Sequence, residues 1–152
     1  MKKSIILLAF MAIFSLAASA QAKQFNSSQL ALRTGIQNFL KAEGFQPIID
    51  DDGDIKFKRQ GDSYYVIVSD VDNSPMYIRL AKFFSYGDHL NQTRLTLGAT
   101  EINKYKMCKL NVGENSYTLA IEMYLTNYTA FTSIFYKVIS IMDSAEQEIA
   151  EL

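Results

Sequence analysis

The run Asp50-Asp51-Asp52-Gly53-Asp54 is the densest group of metal-type ligands in the chain. Acids fall at loop positions 1, 3 and 5, as in the opening of an EF-hand calcium loop. Position 6 of such a loop should be Gly and is Ile55, and position 12 should be a bidentate Glu and is Gly61. Asp-Gly is instead a strong hairpin signal, so the run reads as a solvated turn between strands. Asp70, Asp72 and Asn73 form a second polar loop of the same kind. His89 and Cys108 are the only histidine and the only cysteine. Together they are too few for a common zinc site, and no nucleophile motif surrounds the pair. Cys108 lies in a strand-like stretch between Lys106 and Leu110 and reads as a buried apolar residue. There is no G-x-S-x-G, P-loop, G-x-G-x-x-G or H-E-x-x-H. Glu43 and Asp54 are acids of the type used in general acid–base work, but the sequence does not place them relative to each other and so gives an acid–base site no support. The reading assigns no catalytic residue, no metal ligand and no cofactor, and points away from an enzyme.

The aromatic residues carry more. There are nine Tyr and ten Phe, and no Trp. Tyr77 and Tyr124 fall on the polar phase of their strands, where the opposite phase is apolar. Tyrosine combines a large contact area with a polar tip, which suits interfaces and also suits the cover of an ordinary sheet. Tyr77 and Tyr124 are therefore the candidate partner-binding residues.

The elements that must position them follow from periodicity. Residues 21–27 read as a flexible lead-in. A helix follows, capped by Ser27 or Ser28, with Leu32, Ile36, Phe39 and Leu40 on one stripe and Gly44 as its stop. Gly35 inside it costs about 1 kcal/mol against Ala. Short strands are predicted over 46–50, from Ile55 through Phe57, over 64–69 and over 76–84, with turns at Gly53 and Gly61. In the last of these, Met76, Ile78 and Leu80 face one side, and Tyr77, Arg79 and Ala81 the other. A second helix is predicted from an Asp88 cap to about Asn103, then a strand over 105–112 and a turn at Gly113. Tyr117, Leu119, Ile121, Met123 and Leu125 alternate in the clearest strand of the chain. A final helix from about Tyr128 carries Phe131, Ile134, Phe135, Val138, Ile141, Met142, Ala145 and Ile149 as its apolar stripe, with Asp143, Glu146 and Glu148 off it. Short turns between strands imply antiparallel pairing. The expected class is α+β: an antiparallel sheet of five to six strands flanked by N-terminal, middle and C-terminal helices.

The first residues are of a different kind. Lys2 and Lys3 precede an apolar run from Ile5 to Ala17, closed by small residues at Ala18, Ser19 and Ala20. That is a secretory signal, predicted to span 1–20 with cleavage after Ala20 or Ala22. The run is shorter than the roughly 20 apolar residues of a membrane span. Cleavage after Ala20 leaves 132 of the 152 residues, and 28–152 reads as a single domain. Losing Lys2 and Lys3 from 15 basic residues, against 16 acidic ones, leaves a formal charge of about −3. A mildly acidic chain has no footprint for nucleic acid. The expectation is a periplasmic or secreted protein, not inserted in the membrane after cleavage, whose lone cysteine makes no internal disulfide.

Several stretches together resemble the YbjN-like family, described as bacterial sensory transduction regulators. They are Phe39-Leu40-Lys41-Ala42-Glu43-Gly44-Phe45, then Asp52-Gly53-Asp54-Ile55-Lys56-Phe57, Gly61, the Tyr64 to Val68 strand, and Glu101-Ile102-Asn103. The similarity covers about residues 28–150. It implies a fold like that of type III secretion chaperones and a partner-binding, often dimeric, non-catalytic module. The signal peptide departs from the cytoplasmic setting of those chaperones. The functional expectation is an exported binding module that engages a protein or peptide and forms a homodimer. Its alternatives are a small-ligand carrier and an envelope enzyme with an unrecognised site.

Overall fold

A computed structural model describes residues 23–87 and 90–152. The predicted signal segment, Asp88 and His89 lie outside the described residues. In chain order the elements are α1 (Ser27–Ala42), β1 (Ile48–Ile49), β2 (Ile55–Arg59), β3 (Asp62–Val68), β4 (Met76–Ser85), α2 (Gln92–Ile102), β5 (Cys108–Val112), β6 (Ser116–Leu125) and α3 (Tyr128–Ala150). The strands form one antiparallel six-stranded sheet in the order β1-β2-β3-β4-β6-β5. The α+β class is thus the observed one.

All three helices cover the same face of the sheet. Leu32, Ile36 and Leu40 of α1, Leu95 and Ile102 of α2, and Phe131, Phe135, Val138 and Met142 of α3 join one core with alternate strand residues. The register explains which alternates: Ile55, Val66, Leu80, Ile121 and Cys108 lie side by side across five strands, and all are buried. Aromatic rings fill the thickest part. Phe57 stacks on Tyr64 at 5.3 Å, and Phe135 meets Phe39 edge-on at 5.2 Å. Such pairs contribute about 0.5–1.5 kcal/mol beyond the area they bury.

The turns behave as local chemistry demands. Gln60 and Gly61 both have positive φ in the two-residue β2–β3 hairpin, the handedness that matches strand twist. Gly44 ends α1 with the Phe45 N–H donating to Leu40 and the Gly44 N–H to Lys41, a Schellman stop.

Helix starts differ from the sequence expectation. Asparagine caps all three: Asn26, Asn91 and Asn127 accept from the N–H groups of Gln29, Arg94 and Ala130. Neither Ser27 nor Ser28 caps α1, because Asn26 and Gln29 form a reciprocal capping box, a spacing that was present in the sequence. The side chain of Gln29 also donates to the Asp72 carbonyl at 2.7 Å, tying the β3–β4 loop to the helix. Helix α2 begins at Gln92, so the start predicted at Asp88 gives way to the Asn91 cap. Strand β1 shrinks to two residues, and β5 begins at Cys108, because residues 103–107 turn and Met107 takes φ +67°. Within the expected lead-in, Lys23 pairs with Asp54 at 2.6 Å and Phe25 lies under the Arg33 guanidinium at 3.8 Å.

Gly35 has a packing reason. A Cβ there would stand 2.4 to 2.7 Å from the Cγ, Cβ and Cδ1 atoms of Tyr128 on α3. These atoms are the root of the side chain and cannot swing away. Gly35→Ala is therefore expected to destabilise the protein by about 1 kcal/mol or more in urea unfolding, overpacking outweighing the gain in helix propensity. A more stable Gly35→Ala protein would refute the close α1–α3 contact.

Candidate functional site

Two groups of chemistry-bearing side chains stand out, one on each face of the sheet. The first is under the helices. Lys82 is 2% exposed and lies on the core side of β4, two residues beyond Leu80. Its Nζ bonds to Asp62 at 2.8 Å and to Glu146 of α3, and lies over the rings of Tyr64 at 4.9 Å and Phe84 at 5.2 Å. Beside it, Arg59 holds both oxygens of Asp143 at 3.2 and 3.0 Å, and the Tyr64 hydroxyl donates to the same carboxylate at 3.1 Å. The sequence set Asp143 and Glu146 apart from the helix stripe. The structure turns both toward the sheet, where they answer the cations of β2 and β4.

This cluster holds its groups in their resting forms. Burial works against the Lys82 ammonium, but the bonds from Asp62 and Glu146 outweigh it and set its pKa above the ordinary lysine value. Burial likewise raises the Tyr64 phenol. A protonated amine and a protonated phenol are neither nucleophile nor base at neutral pH. Cys108 is disarmed differently: burial pushes its thiol up to about 11, so it carries little thiolate. His89, its possible partner in sequence, lies outside the described residues. Glu43 bonds to the Tyr136 hydroxyl and Asp54 to Lys23, so each acid is engaged separately. Among the described residues, no group of three or more His, Cys, Asp or Glu is arranged to hold a metal.

The second group is on the opposite face, which no helix among the described residues covers. Strand pleating brings Lys56, Lys58, Tyr65, Ile67, Tyr77, Arg79, Ala81, Phe83, Lys109, Ala120, Glu122 and Tyr124 to this side. Tyr77 and Tyr124, far apart in sequence, are direct cross-strand partners with ring centroids 5.5 Å apart. Tyr124 is 64% exposed. Phe83, 51% exposed, meets Tyr65 edge-on at 5.1 Å. Between the two aromatic pairs, Ala81 faces Ala120, and both are fully buried. The structure thus brings the two sequence-predicted tyrosines together. The sequence missed Phe83 and Tyr65, although strand alternation from Tyr77 and Ala81 reaches Phe83.

The surface hollows are open ones. One of about 340 Å³ lies where β1 stops, lined by Phe45, Ile48, Lys56 and Phe57. A larger one of about 740 Å³ lies between α1 and α3, beside Gly35, Asn38, Tyr128 and Tyr136. A third, of about 400 Å³, joins the Asp50–Asp54 turn to Tyr65 and Phe83 at the rim of the uncovered face.

No family model and no curated protein matches the chain. Among solved structures it is similar to a chain of the HopA1–SchA chaperone–effector complex, with a TM-score of 0.54 and 15% identity over 82% of this chain and 99% of that one. It is also similar to an uncharacterized protein from Methanothermobacter thermautotrophicus, with a TM-score of 0.48 and 15% identity over 76% and 96% of the two chains. At such identity the likeness to the first concerns the fold, and it bears out a chaperone-like arrangement of sheet and helices.

The buried cluster makes a pH prediction. A lysine whose folded pKa is raised stabilises the fold fully below its unfolded value, about 10.4, and that stability is lost as pH rises through the folded value. The raised phenols of Tyr64 and Tyr117 push in the same direction, since only the unfolded chain ionises them freely. Thermal midpoints should fall above about pH 10. In Lys82→Met the fall should be shallower, with stability near pH 7 changed by about 1 kcal/mol or less because Asp62 and Glu146 reach solvent. Identical alkaline slopes in the two proteins would remove Lys82 from this role.

Proposed function

We propose that this protein is an exported, non-catalytic binding module of the bacterial envelope, which engages a protein or peptide partner on the uncovered face of its sheet. The observation that carries this reading is the face itself: paired Tyr77 and Tyr124, and paired Tyr65 and Phe83, stand on a six-stranded sheet with no helix of the described residues over them. Exposed aromatic side chains gathered on one face are a common mark of a binding surface. Tyrosines held by a sheet lose little side-chain freedom on binding, which suits them as anchors. The fold likeness to a chain of a chaperone–effector complex supports a protein partner. The disarmed states of Lys82 and Cys108 support binding over catalysis.

The positive start, apolar run and small residues of positions 2–20 support export and a periplasmic or secreted site of action. The YbjN-like assignment rests on the opening helix with its Gly44 stop, the Asp52–Phe57 turn and strand, and the closing helix. A homodimer follows from that assignment, and light scattering that finds a monomer at high concentration would reject it.

The reading is tested with a photo-crosslinking residue at position 124 in cells, followed by envelope fractionation. A discrete protein adduct is expected, together with a shortened, signal-free chain in the periplasm. Tyr77→Ala combined with Tyr124→Ala should weaken partner capture by about tenfold or more while leaving the fold intact. Unchanged capture by the double variant would reject the face, and a full-length chain confined to the cytoplasm would reject export.

A further inference from the structure

The chain enters its fold through a strap. Lys23 bonds through Nζ to Asp54 at 2.6 Å, and the Asp54 side chain is only 11% exposed. Phe25 packs on the core with the Arg33 guanidinium 3.8 Å from its ring centroid. Asn26 caps α1 and also donates through Nδ2 to Asn73 Oδ1 at 3.0 Å. Residues 23–26 belong to no helix or strand, yet they fasten to the β1–β2 turn, to α1 and to the β3–β4 loop. Arg33, itself buried, is favoured as a cation by Asp54 and Asp50, so two cations meet the acids of this turn.

The strap begins where the predicted processing ends. The cleavage point after Ala22 falls directly before Lys23, and the one after Ala20 falls two residues earlier. Two extended residues reach about 7 Å. A peptidase that reads small residues at 18 and 20, or at 20 and 22, must take several residues around the bond into its cleft as open chain. With Lys23 seated on Asp54, the folded domain stands within that reach. The cleft and the domain then compete for the same few residues, so the bond cannot be cut while the strap is docked.

We propose that residues 23–26 control access to the signal-cleavage site: a membrane-bound signal peptidase cuts while the strap is open, and docking of Lys23 and Phe25 then seals the mature N-terminus to the fold. Cleavage is a hydrolysis. Water adds across the Ala20–Gln21 or Ala22–Lys23 peptide bond, leaving a carboxylate on the signal and an ammonium on the mature chain. That new positive charge arises at or next to Lys23, whose side chain already meets the acidic 50–54 turn, and it favours the closed strap. A partly buried ion pair, a cation–ring contact and a side-chain hydrogen bond hold the strap, so it can open without the domain unfolding. This inference rests on the preceding reading of an exported chain and adds the order of its processing steps.

The test uses the full-length chain in mild detergent with a purified bacterial signal peptidase, the chain being added either straight from urea or after refolding. Diluted from urea, it should be cut after Ala20 or Ala22, as read by mass spectrometry. The refolded chain should be cut more slowly by about tenfold or more, since cleavage of a folded chain follows the population of its open form. Asp54→Asn removes the ion pair without touching the cleavage sequence, and Phe25→Ser removes the ring. Each should restore most of the rate while circular dichroism still shows the folded domain. Equal rates for the urea-diluted and refolded chains would overturn the proposal, and so would refolded variants cut as slowly as the parent. Either result leaves the signal itself in place. A urea-diluted chain that is not cut at all would reject the signal, and this proposal with it.

Discussion

Strand β4 has a neighbour on both edges, so each of its side chains must go to one of two faces. That pleat decides most of what the molecule is. It sends Met76, Ile78 and Leu80 into the helix-covered core, and Tyr77, Arg79, Ala81 and Phe83 to the uncovered side. It also sends Lys82 inward, so a charge must be accommodated under the helices. The Asp62 and Glu146 carboxylates meet it there, and Glu146 reaches in from α3. The helix that closes the core thus supplies the counter-charge for the sheet's central strand.

The two cations of β4 have opposite fates for the same geometric reason. Lys82 points toward a layer that can provide partners, and it has two. Arg79, three residues earlier, points toward the face that no described helix covers, where with Lys109 and Tyr77 it helps hold the Glu122 carboxyl on the next strand below its ordinary pKa. A buried ion pair with good partners contributes register more than net stability. The covered cluster is thereby part of the scaffold, while Arg79 and Glu122 belong to the other face.

The scaffold is stiff where the face needs it to be. Strands β4 and β6 pair along ten residues each, so Tyr77 and Tyr124 are held opposite each other by continuous ladder bonds. Helix α1 approaches α3 closely at Gly35, and α1 in turn holds the β3–β4 loop through Gln29. The loop that leads into β4 is therefore tied to the helix layer, while the strand itself displays the aromatic face on the other side.

Sequence alone determined what is local. Alternation placed Tyr117 to Leu125 and the phase of Tyr77 and Tyr124, the 3.6-residue stripe placed α3, and Gly44, Gly53 and Gly61 marked turns that only positive φ allows. The capping box of Asn26 and Gln29 was also legible in principle, since both partners lie within one helical turn. Tertiary structure decided everything that depends on which strand lies beside which and which face the helices take. It set Tyr77 opposite Tyr124 and Arg79 opposite Glu122, gave Lys82 its two carboxylates, and pressed Tyr128 against Gly35. These are contacts between segments distant along the chain. Periodicity assigns a residue to a face, and only the register and the covering layer assign it a neighbour.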